Sequence, residues 1–289
     1  MPSKNQHKYI KRQCHVDKIE LPATVSDLFS ADAFAEIMQL QGQVYRDVAG
    51  RRTIQLKLAG GSYFVKQHFG VGWHEIVKSF LSLKKPILGA QTEVNAIRRL
   101  NEIGIETTPL VGYGVKGINP ATQQSFVITQ DLGDIISLED LCANWNSNPP
   151  DANFKRRLII AVAEVAAKLH KNGVNHRDFY ICHLCLDAQA LKQNQIKLYL
   201  IDLHRMLIHH KISMTDNMKD IAALYFSSMD AGLTSRDYLR FKRYYSSGVS
   251  GCTPDFWRQV ELRANKLYAK FHGDKFQKRL AAEKAALKK

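Results

Sequence analysis

The sequence predicts an α+β protein whose first half is a small antiparallel sheet with one main helix and whose second half is mostly helical. Short apolar runs separated by glycine-containing turns dominate the first 131 residues, as in antiparallel strands. The composition changes at residues 144–151, Asn-Trp-Asn-Ser-Asn-Pro-Pro-Asp, and apolar residues then recur at helical spacing. We therefore expect an N-terminal extension over 1–40, a first lobe over 41–131, a second lobe over 132–271 and a basic helical tail over 272–289.

Five strands are expected in the first lobe. Glycine-containing turns at 47–50 and 59–61 separate three runs with strand character, so these runs are expected to pair as consecutive antiparallel strands. The five expected strands lie over 42–46, 53–58, 62–68, 109–115 and 125–130.

One helix is expected in the first lobe, over 91–101, because Val94, Ile97 and Leu100 lie at helical spacing and Gly104 follows as a C-terminal cap. In the second lobe, Asp151 is a suitable N-cap for a long helix with one apolar stripe. Two short strand-like runs and three further helices are expected after it, at 184–186, 196–201, 216–228, 235–245 and 254–271.

The composition limits the classes of function. The 289 residues include 41 Lys+Arg against 27 Asp+Glu, and the resulting net charge of +14 indicates an anionic partner. Residues 261–289 alone carry nine Lys+Arg and three Asp+Glu. No apolar stretch is long enough to cross a bilayer, and the N-terminus lacks the features of an export signal. We expect a soluble cytosolic protein whose five scattered cysteines are reduced.

Four charged residues occur in an order that points to phosphoryl transfer. Lys66 lies in the third expected strand, and Glu93 lies on the expected helix, facing the strands if that helix packs on its apolar stripe. Asp178 ends the His-Arg-Asp loop at 176–178, and Asp202 ends a strand-like run 24 residues later. Each residue alone has an ordinary structural explanation, such as a solvated strand lysine or a capping aspartate. Together, their order resembles that of the protein-kinase-like phosphotransfer fold.

That resemblance implies a role for each of the four residues. Lys66 binds the nucleotide phosphates, and Glu93 holds the lysine in place. Asp178 accepts the proton of the substrate hydroxyl. Asp202 offers a hard oxygen ligand to Mg²⁺. The expected architecture is then a two-lobed kinase-like fold with ATP between the lobes.

Two further residues are expected to support the catalytic loop. In the kinase-like fold, a buried aspartate on the helix after the metal-site strand braces the backbone of this loop, and Asp220 matches that position. An acid in the first turn of a helix, favoured by the helix dipole, explains Asp220 as well. His176, at the start of the His-Arg-Asp loop, is the second supporting residue.

A narrower resemblance comes from residues 175–187, Asn-His-Arg-Asp-Phe-Tyr-Ile-Cys-His-Leu-Cys-Leu-Asp. This string is similar to the catalytic loop of the lipopolysaccharide core heptose(I) kinases, the WaaP/RfaP family. Further similar strings bring the resemblance to roughly residues 40–245, and they lie at 45–53, 63–68, 70–75, 86–93 and 201–205.

The family resemblance implies a substrate and a location. The reaction is ATP-dependent phosphorylation, with Mg²⁺, of the inner-core heptose nearest Kdo, at its 4-hydroxyl. The acceptor is lipid-linked, so the chain is expected at the cytosolic face of the Gram-negative inner membrane as a peripheral protein. No nucleic-acid partner is expected.

The nucleotide-binding residues are expected to include Gly50, Arg51, Arg52 and Gln130. The loop around Gly50 has one glycine where protein kinases have three, so phosphate contact falls to the arginines more than to backbone amides. His183 stands where protein kinases place a metal-binding asparagine. Imidazole is a poor ligand for Mg²⁺, which makes His183 a weaker candidate ligand than Asp202.

Several alternatives stay open. The enzyme could act on Kdo or on a different core heptose, or the chain could be a catalytically silent basic scaffold for membrane or nucleic acid. The tail and the arginine-rich stretch 236–243 are either solvated helix or contacts for anionic lipid. Residues 72–81 are either an acceptor surface or a core helix. Cys182 and Cys185 are interpreted as packed thiols rather than as zinc ligands.

Overall fold

The computed structural model describes residues 18–48, 50–58, 60–70, 72–73, 89–274, 276–278 and 281–282. The chain divides into two compact units, Met1–Arg98 with Thr108–Gly133 and Arg99–Thr107 with Asp134–Lys289. Cys14, most of the possible acceptor surface at 72–81 and most of the basic tail lie outside the described residues.

The first unit is built on a six-stranded antiparallel sheet with the spatial order β1-β5-β6-β4-β3-β2. The five expected strands are confirmed, and β1 is a sixth strand that sequence analysis did not predict. The strands are β1 (Lys18–Glu20), β2 (Gln43–Val48), β3 (Arg51–Leu58), β4 (Gly61–His68), β5 (Leu110–Lys116) and β6 (Gln124–Gln130).

Apolar side chains cover both faces of this sheet. Phe126 and Val127 are consecutive residues of β6, so they point to opposite faces. Phe126 packs with Val65 and with Phe34 of a helix that sequence analysis did not predict, whereas Val127 packs with Val94. The helices that supply these contacts are α1 (Ala23–Ser26), α2 (Ala33–Gln39) and α3 (Gln91–Glu102), the last being the expected helix.

The second unit is mostly helical, as expected. Helix α5 packs against α8, and α7 packs against α9. The α+β class predicted from the sequence is therefore confirmed. The helices are α4 (Leu138–Cys142), α5 (Ala152–Lys171), α6 (Ala188–Lys192), α7 (Met214–Ser228), α8 (Ser235–Gly248) and α9 (Pro254–His272).

The start of helix α5 and the face that it buries both follow from its sequence. The Asp151 carboxylate accepts hydrogen bonds from the N–H groups of Asn153 and Phe154, at 3.0 and 2.9 Å, and so satisfies two donors at the helix start. One face of the helix is buried, which anchors it in the core of the unit. The buried face includes Leu158, Ile159, Val162, Ala163, Ala166, Ala167, Leu169 and His170.

Short strands hold the two acidic loops of the second unit together. Strand β8 precedes Asp178 and pairs with β11, which follows Asp202; β9 and β10 pair between the two loops. Strand pairing therefore holds the two loops together, both through the segments outside them and through the segments between them. The strands are β7 (Ile135–Ser137), β8 (Val174–Asn175), β9 (Leu184–Asp187), β10 (Leu198–Leu200) and β11 (Leu207–Ile208). Among the described residues, no helix combines the length and the apolar character needed to span a bilayer.

Candidate active site

Lys66 and Glu93 form an ion pair in the first unit. Lys66 lies on β4, an interior strand, opposite Val127 on the face that α3 covers. Glu93 lies in the first turn of α3 with its side chain 4% exposed, and its Oε1 is 2.5 Å from the Lys66 Nζ. A buried carboxylate without a partner is costly, so this pairing fixes the lysine. The explanation of Lys66 as a solvated edge lysine is therefore wrong.

The turn between β2 and β3 carries three nucleotide-binding candidates. Gly50 has a φ of +79°, which glycine adopts without penalty, and its carbonyl oxygen accepts a hydrogen bond from the Phe69 N–H at 2.9 Å. Arg51 begins β3. Arg52 pairs with Asp47 at 2.9 Å, so its charge already has a partner in the turn.

Gln130, the fourth candidate, is exposed at the end of β6. Its N–H donates to the carbonyl oxygen of Pro109 at 2.9 Å. The next residue, Asp131, accepts hydrogen bonds from the Gln55 Nε2 at 2.6 Å and the Ser62 Oγ at 2.8 Å. The end of β6 is thereby tied to the hairpin of β3 and β4.

Asp178 lies in the loop after β8 with its side chain 13% exposed. Its Oδ1 accepts a hydrogen bond from the Arg205 Nη1 at 2.6 Å. Its backbone carbonyl oxygen accepts two more, from the Tyr180 N–H at 2.9 Å and the His183 Nδ1 at 2.7 Å. The carboxylate is thus oriented by one cation and its backbone is held in place.

Asp220 binds the backbone of the same loop. Its side chain is 1% exposed, and its carboxylate accepts hydrogen bonds from the N–H groups of His176 and Arg177 at 2.6 and 2.9 Å. Arg177 has a φ of +71°, a conformation that costs free energy in any residue with a side chain, and these bonds hold it there. Asp220 lies beyond the first turn of α7, which contains Asp216, so the first-turn explanation is wrong.

His176 links this loop to the strand before Asp202. Its Nε2 lies 3.0 Å from the Ile201 carbonyl oxygen. Because a carbonyl oxygen only accepts, Nε2 carries the proton. The side chain is fully buried, and burial lowers the pKa of the imidazole, which keeps it neutral.

Asp202 and His183 lie side by side. Asp202 has left-handed backbone geometry, with φ +60° and ψ +57°, and its Oδ2 is 3.5 Å from the His183 Nε2. The His183 Nδ1 donates to the Asp178 carbonyl oxygen, so in neutral imidazole the Nε2 lone pair faces Asp202. His183 therefore contacts both acidic loops.

Within this pair, the Asp202 carboxylate suits a nucleotide-associated Mg²⁺, because this ion prefers hard oxygen ligands. Imidazole is a poor ligand for Mg²⁺, so His183 stays the weaker candidate. The described residues contain no group of three or more His, Cys, Asp or Glu side chains arranged for a metal. Magnesium in phosphotransfer sites needs fewer, because water and phosphate oxygens supply the remaining ligands.

Two residues of the string 201–205 were given no role by the sequence analysis. Arg205 contacts Asp178, and the His204 Nδ1 lies 2.5 Å from the Asp202 Oδ1. Both lie in the single 3₁₀ turn that follows Asp202. Their spacing, two and three residues after the predicted metal ligand, was the available signal.

The cysteines beside His183 are protonated thiols. Burial raises the pKa of Cys182 to about 12 and that of Cys185 to about 11. Zinc and redox chemistry need the thiolate, so these shifts favour the interpretation as packed thiols.

The geometry therefore assembles two groups. In the first unit, the structure pairs Lys66 with Glu93. In the second unit, it brings His183 into contact with both Asp178 and Asp202. Asp220 and His176 hold the loop that carries Asp178 through hydrogen bonds.

Comparison with known proteins identifies the family of the chain. The model of the lipopolysaccharide kinase (Kdo/WaaP) family matches residues 35–245. The chain belongs to this family. A relative from Escherichia coli strain K12, lipopolysaccharide core heptose(I) kinase WaaP, is 47% identical over 229 residues, which cover 78% of this chain and 86% of that protein. A Pseudomonas aeruginosa protein of the same name is 46% identical over 215 residues, which cover 74% and 80%.

Similarity to a solved structure also supports the fold of this chain. That structure is described as WaaP in complex with acyl carrier protein, and it matches with a TM-score of 0.73 at 37% sequence identity. The match covers 86% of this chain and 99% of that chain. The kinase-like fold class and the family resemblance expected from the sequence are confirmed.

Proposed function

We propose that this chain is an ATP-dependent sugar kinase that phosphorylates heptose I of the lipopolysaccharide core at its 4-hydroxyl. The observation that carries the proposal is the second-unit loop pair, in which His183 contacts both Asp178 and Asp202. One carboxylate there suits proton acceptance and the other suits a divalent cation. The choice of heptose I is supported by the names of the two relatives, which share nearly half of their aligned residues with this chain.

In the proposed reaction, the acceptor hydroxyl oxygen bonds to the γ-phosphorus of ATP while the bond from that phosphorus to the β,γ-bridging oxygen breaks. Asp178 takes the hydroxyl proton, and ADP leaves with the bonding electrons. Arg205 orients the Asp178 carboxylate. Lys66 supplies a cation to the phosphates, and Glu93 keeps that cation in place.

Asp202 would hold Mg²⁺, with His183 beside it as the weaker candidate ligand. When bound, the ion supplies positive charge against the triphosphate. The side chain of Asp202 is 32% exposed, which leaves it reachable for an ion and its water ligands.

Phosphate mapping tests this function. The purified protein is incubated with ATP, Mg²⁺ and lipopolysaccharide that lacks core phosphate, and the new phosphate is located by mass spectrometry and NMR. We expect one phosphate on the 4-hydroxyl of heptose I. Asp178→Asn should bind ATP and transfer none. Phosphate on Kdo or another heptose would change the acceptor, and the absence of any transfer by the wild-type protein would overturn the proposal.

We further propose that the protein works as a peripheral protein at the cytosolic face of the inner membrane. Residues 261–289 carry six more basic than acidic residues, and each cation near an anionic surface contributes about 1 kcal/mol. Removing residues 272–289 should reduce binding to vesicles that contain anionic lipid, with unchanged turnover on a detergent-solubilised acceptor. Undiminished vesicle binding would contradict this role of the tail.

An acyl carrier protein is a proposed partner, because the solved WaaP structure contains one. Four arginines line one recess of the second unit, Arg156 on α5 and Arg236, Arg240 and Arg243 on α8. This surface suits an acidic partner. The same helix α8 turns Tyr238 and Phe241 into a mostly apolar cavity of about 110 Å³.

Charge reversal tests the partner. Arg236→Glu with Arg243→Glu should abolish co-purification of acyl carrier protein, whereas Arg46→Glu, a reversal on β2 of the first unit, should leave it intact. Equal co-purification in both proteins would place the contact elsewhere.

A further inference from the structure

The second unit contains a cavity beside the loop that carries Asp178. The residues that line this cavity are unusual for a simple packing defect. The cavity has a volume of about 500 Å³, and α4, the loop after Asp178, α7 and the end of α9 all contribute to it. A volume of this size accommodates a small polar ligand. None of the residues with a proposed role in phosphoryl transfer lines it.

Aromatic rings form one wall of the cavity. Tyr180 contacts Phe226 with ring centroids 6.2 Å apart, Phe226 contacts Phe271 at 5.7 Å, and Phe271 contacts Phe276 at 5.4 Å. All four residues line the cavity and are only partly buried. Aromatic faces carry partial negative charge, so they attract the C–H groups on the face of a sugar ring.

Carboxylates stand at the rim of the same cavity. Glu139 and Asp230 both line it and are both exposed. Asp230 accepts a hydrogen bond from the Tyr268 hydroxyl at 2.9 Å, which orients it. Ionised carboxylates only accept hydrogen bonds, and sugar hydroxyls are the donors that match them. Two carboxylates also repel an anionic ligand, so the rim favours a neutral sugar over a carboxylated or phosphorylated one.

The cavity is connected to the proposed base through Tyr180. The Tyr180 N–H donates to the Asp178 carbonyl oxygen at 2.9 Å, so the ring that starts the aromatic wall is two residues from the carboxylate. The Tyr180 hydroxyl can donate a hydrogen bond to a ligand in the cavity.

We infer that this cavity is an acceptor subsite that binds a neutral heptose residue of the core, with the sugar face on the aromatic wall and its hydroxyls on the carboxylate rim. The inference rests on the proposed function, because it names the site at which the acceptor of that reaction is held. A sugar seated there presents its hydroxyls next to the loop that carries Asp178.

Kinetics of three variants test the subsite. Phe276→Ala and Phe271→Leu shorten the aromatic wall, and Asp230→Asn removes a rim charge at an exposed position. Phe276→Ala and Phe271→Leu should each raise the KM for the core acceptor about tenfold, the loss of one aromatic contact. Asp230→Asn should raise it as well, by weakening one hydrogen-bond acceptor, and the KM for ATP should be unchanged in all three variants. Phe154→Ala, a partly buried phenylalanine on α5 outside the cavity, is the matched control and should leave both constants unchanged.

A binding experiment separates failure of the subsite from failure of the proposed reaction. Saturation-transfer NMR without ATP measures binding of a methyl heptoside, with Kdo as an anionic competitor. We expect the heptoside signal in the wild type and in Phe154→Ala, its loss in Phe276→Ala, and no competition by Kdo. The inference is overturned if the heptoside fails to bind, if it binds Phe276→Ala equally well, or if Kdo displaces it, whether or not the protein transfers phosphate.

Discussion

The Lys66–Glu93 pair of the first unit and the acidic loops of the second unit are held in place by different means. Lys66 and Glu93 lie on a regular strand and a regular helix, and one ion pair of 2.5 Å joins them. Asp202 and the residue before Asp178 both have left-handed backbone geometry, with φ values of +60° and +71°. The strained backbone persists because of buried hydrogen bonds, which the Asp220 carboxylate accepts from the loop and the His176 side chain donates to the Ile201 carbonyl oxygen.

This difference shows which contacts each region depends on, and therefore which substitutions should disturb it. In the first unit, we expect the sheet and helix to keep their shape without the ion pair, so that removal of Lys66 mainly leaves the buried charge of Glu93 unpaired. In the second unit, the loop shape itself depends on the hydrogen bonds. A single change at Asp220 should therefore disturb Asp178, which it does not touch.

Replacement of Asp220 should have the largest effect on stability. Asp220→Ala leaves the N–H groups of His176 and Arg177 buried without an acceptor, and we expect a loss of about 3 kcal/mol in the free energy of unfolding. Urea unfolding measures it. Asp216→Ala, on the same helix but with a partly exposed side chain, is the control and should cost below about 1 kcal/mol. Equal losses in the two variants would contradict the bracing role.

A double-mutant cycle on Lys66 and Glu93 should give the next largest effect. Lys66→Met leaves the Glu93 carboxylate buried and unpaired, whereas Lys66→Met with Glu93→Gln removes both charges. We expect a coupling free energy of about 2 kcal/mol between the two positions, measured by urea unfolding of all four proteins. If the effects of the two single substitutions add, the interaction between Lys66 and Glu93 contributes nothing to the free energy of unfolding.

Much of this comparison was predictable, because regular elements leave periodic signals. The apolar spacing of Val94, Ile97 and Leu100 predicted the helix and hence that Glu93 faces the strand of Lys66, as the structure shows. The same reasoning missed β1 and α2, whose segments are short and whose burial depends on packing against Phe126 and Val65. Tertiary contacts of this kind have no local signature in the sequence.

The loop contacts were less predictable for a physical reason. The order of Asp178 and Asp202 was visible, but the ion pair of Arg205 with Asp178 joins residues 27 positions apart through a 3₁₀ turn. Its existence depends on the left-handed backbone at Asp202, which residues other than glycine seldom adopt. Spacing marks Arg205 as a neighbour of Asp202 but does not reveal its contact with Asp178, so Arg205 was given no role.

Replacement of Arg205 should have a moderate effect on turnover and little on stability. Arg205→Gln removes the charge that orients the Asp178 carboxylate, so we expect kcat to fall about tenfold, which is about 1.4 kcal/mol. The KM for ATP should stay unchanged, and Arg205→Lys should recover part of the loss. Steady-state kinetics against ATP measures both constants. A rise in the KM for ATP with normal kcat would instead make Arg205 a nucleotide-binding residue.

The smallest effect should come from Asp131, the carboxylate of the first unit that most resembles Asp220. Burial opposes its ionisation, but hydrogen bonds from the Gly133 N–H, the Ser62 hydroxyl and the Gln55 amide outweigh burial and hold its pKa below the ordinary 3.8. A lowered pKa gives stability that is present above pH 3.8 and is lost as the pH falls through the folded-state pKa. Asp131→Asn should therefore reduce stability at pH 7 but make it less sensitive to acid between pH 5 and pH 2. Because the site is partly exposed, solvent screening should keep the difference below about 1 kcal/mol. Urea unfolding across this pH range measures it, and parallel pH profiles for the two proteins would show that these bonds do not favour the ionised form.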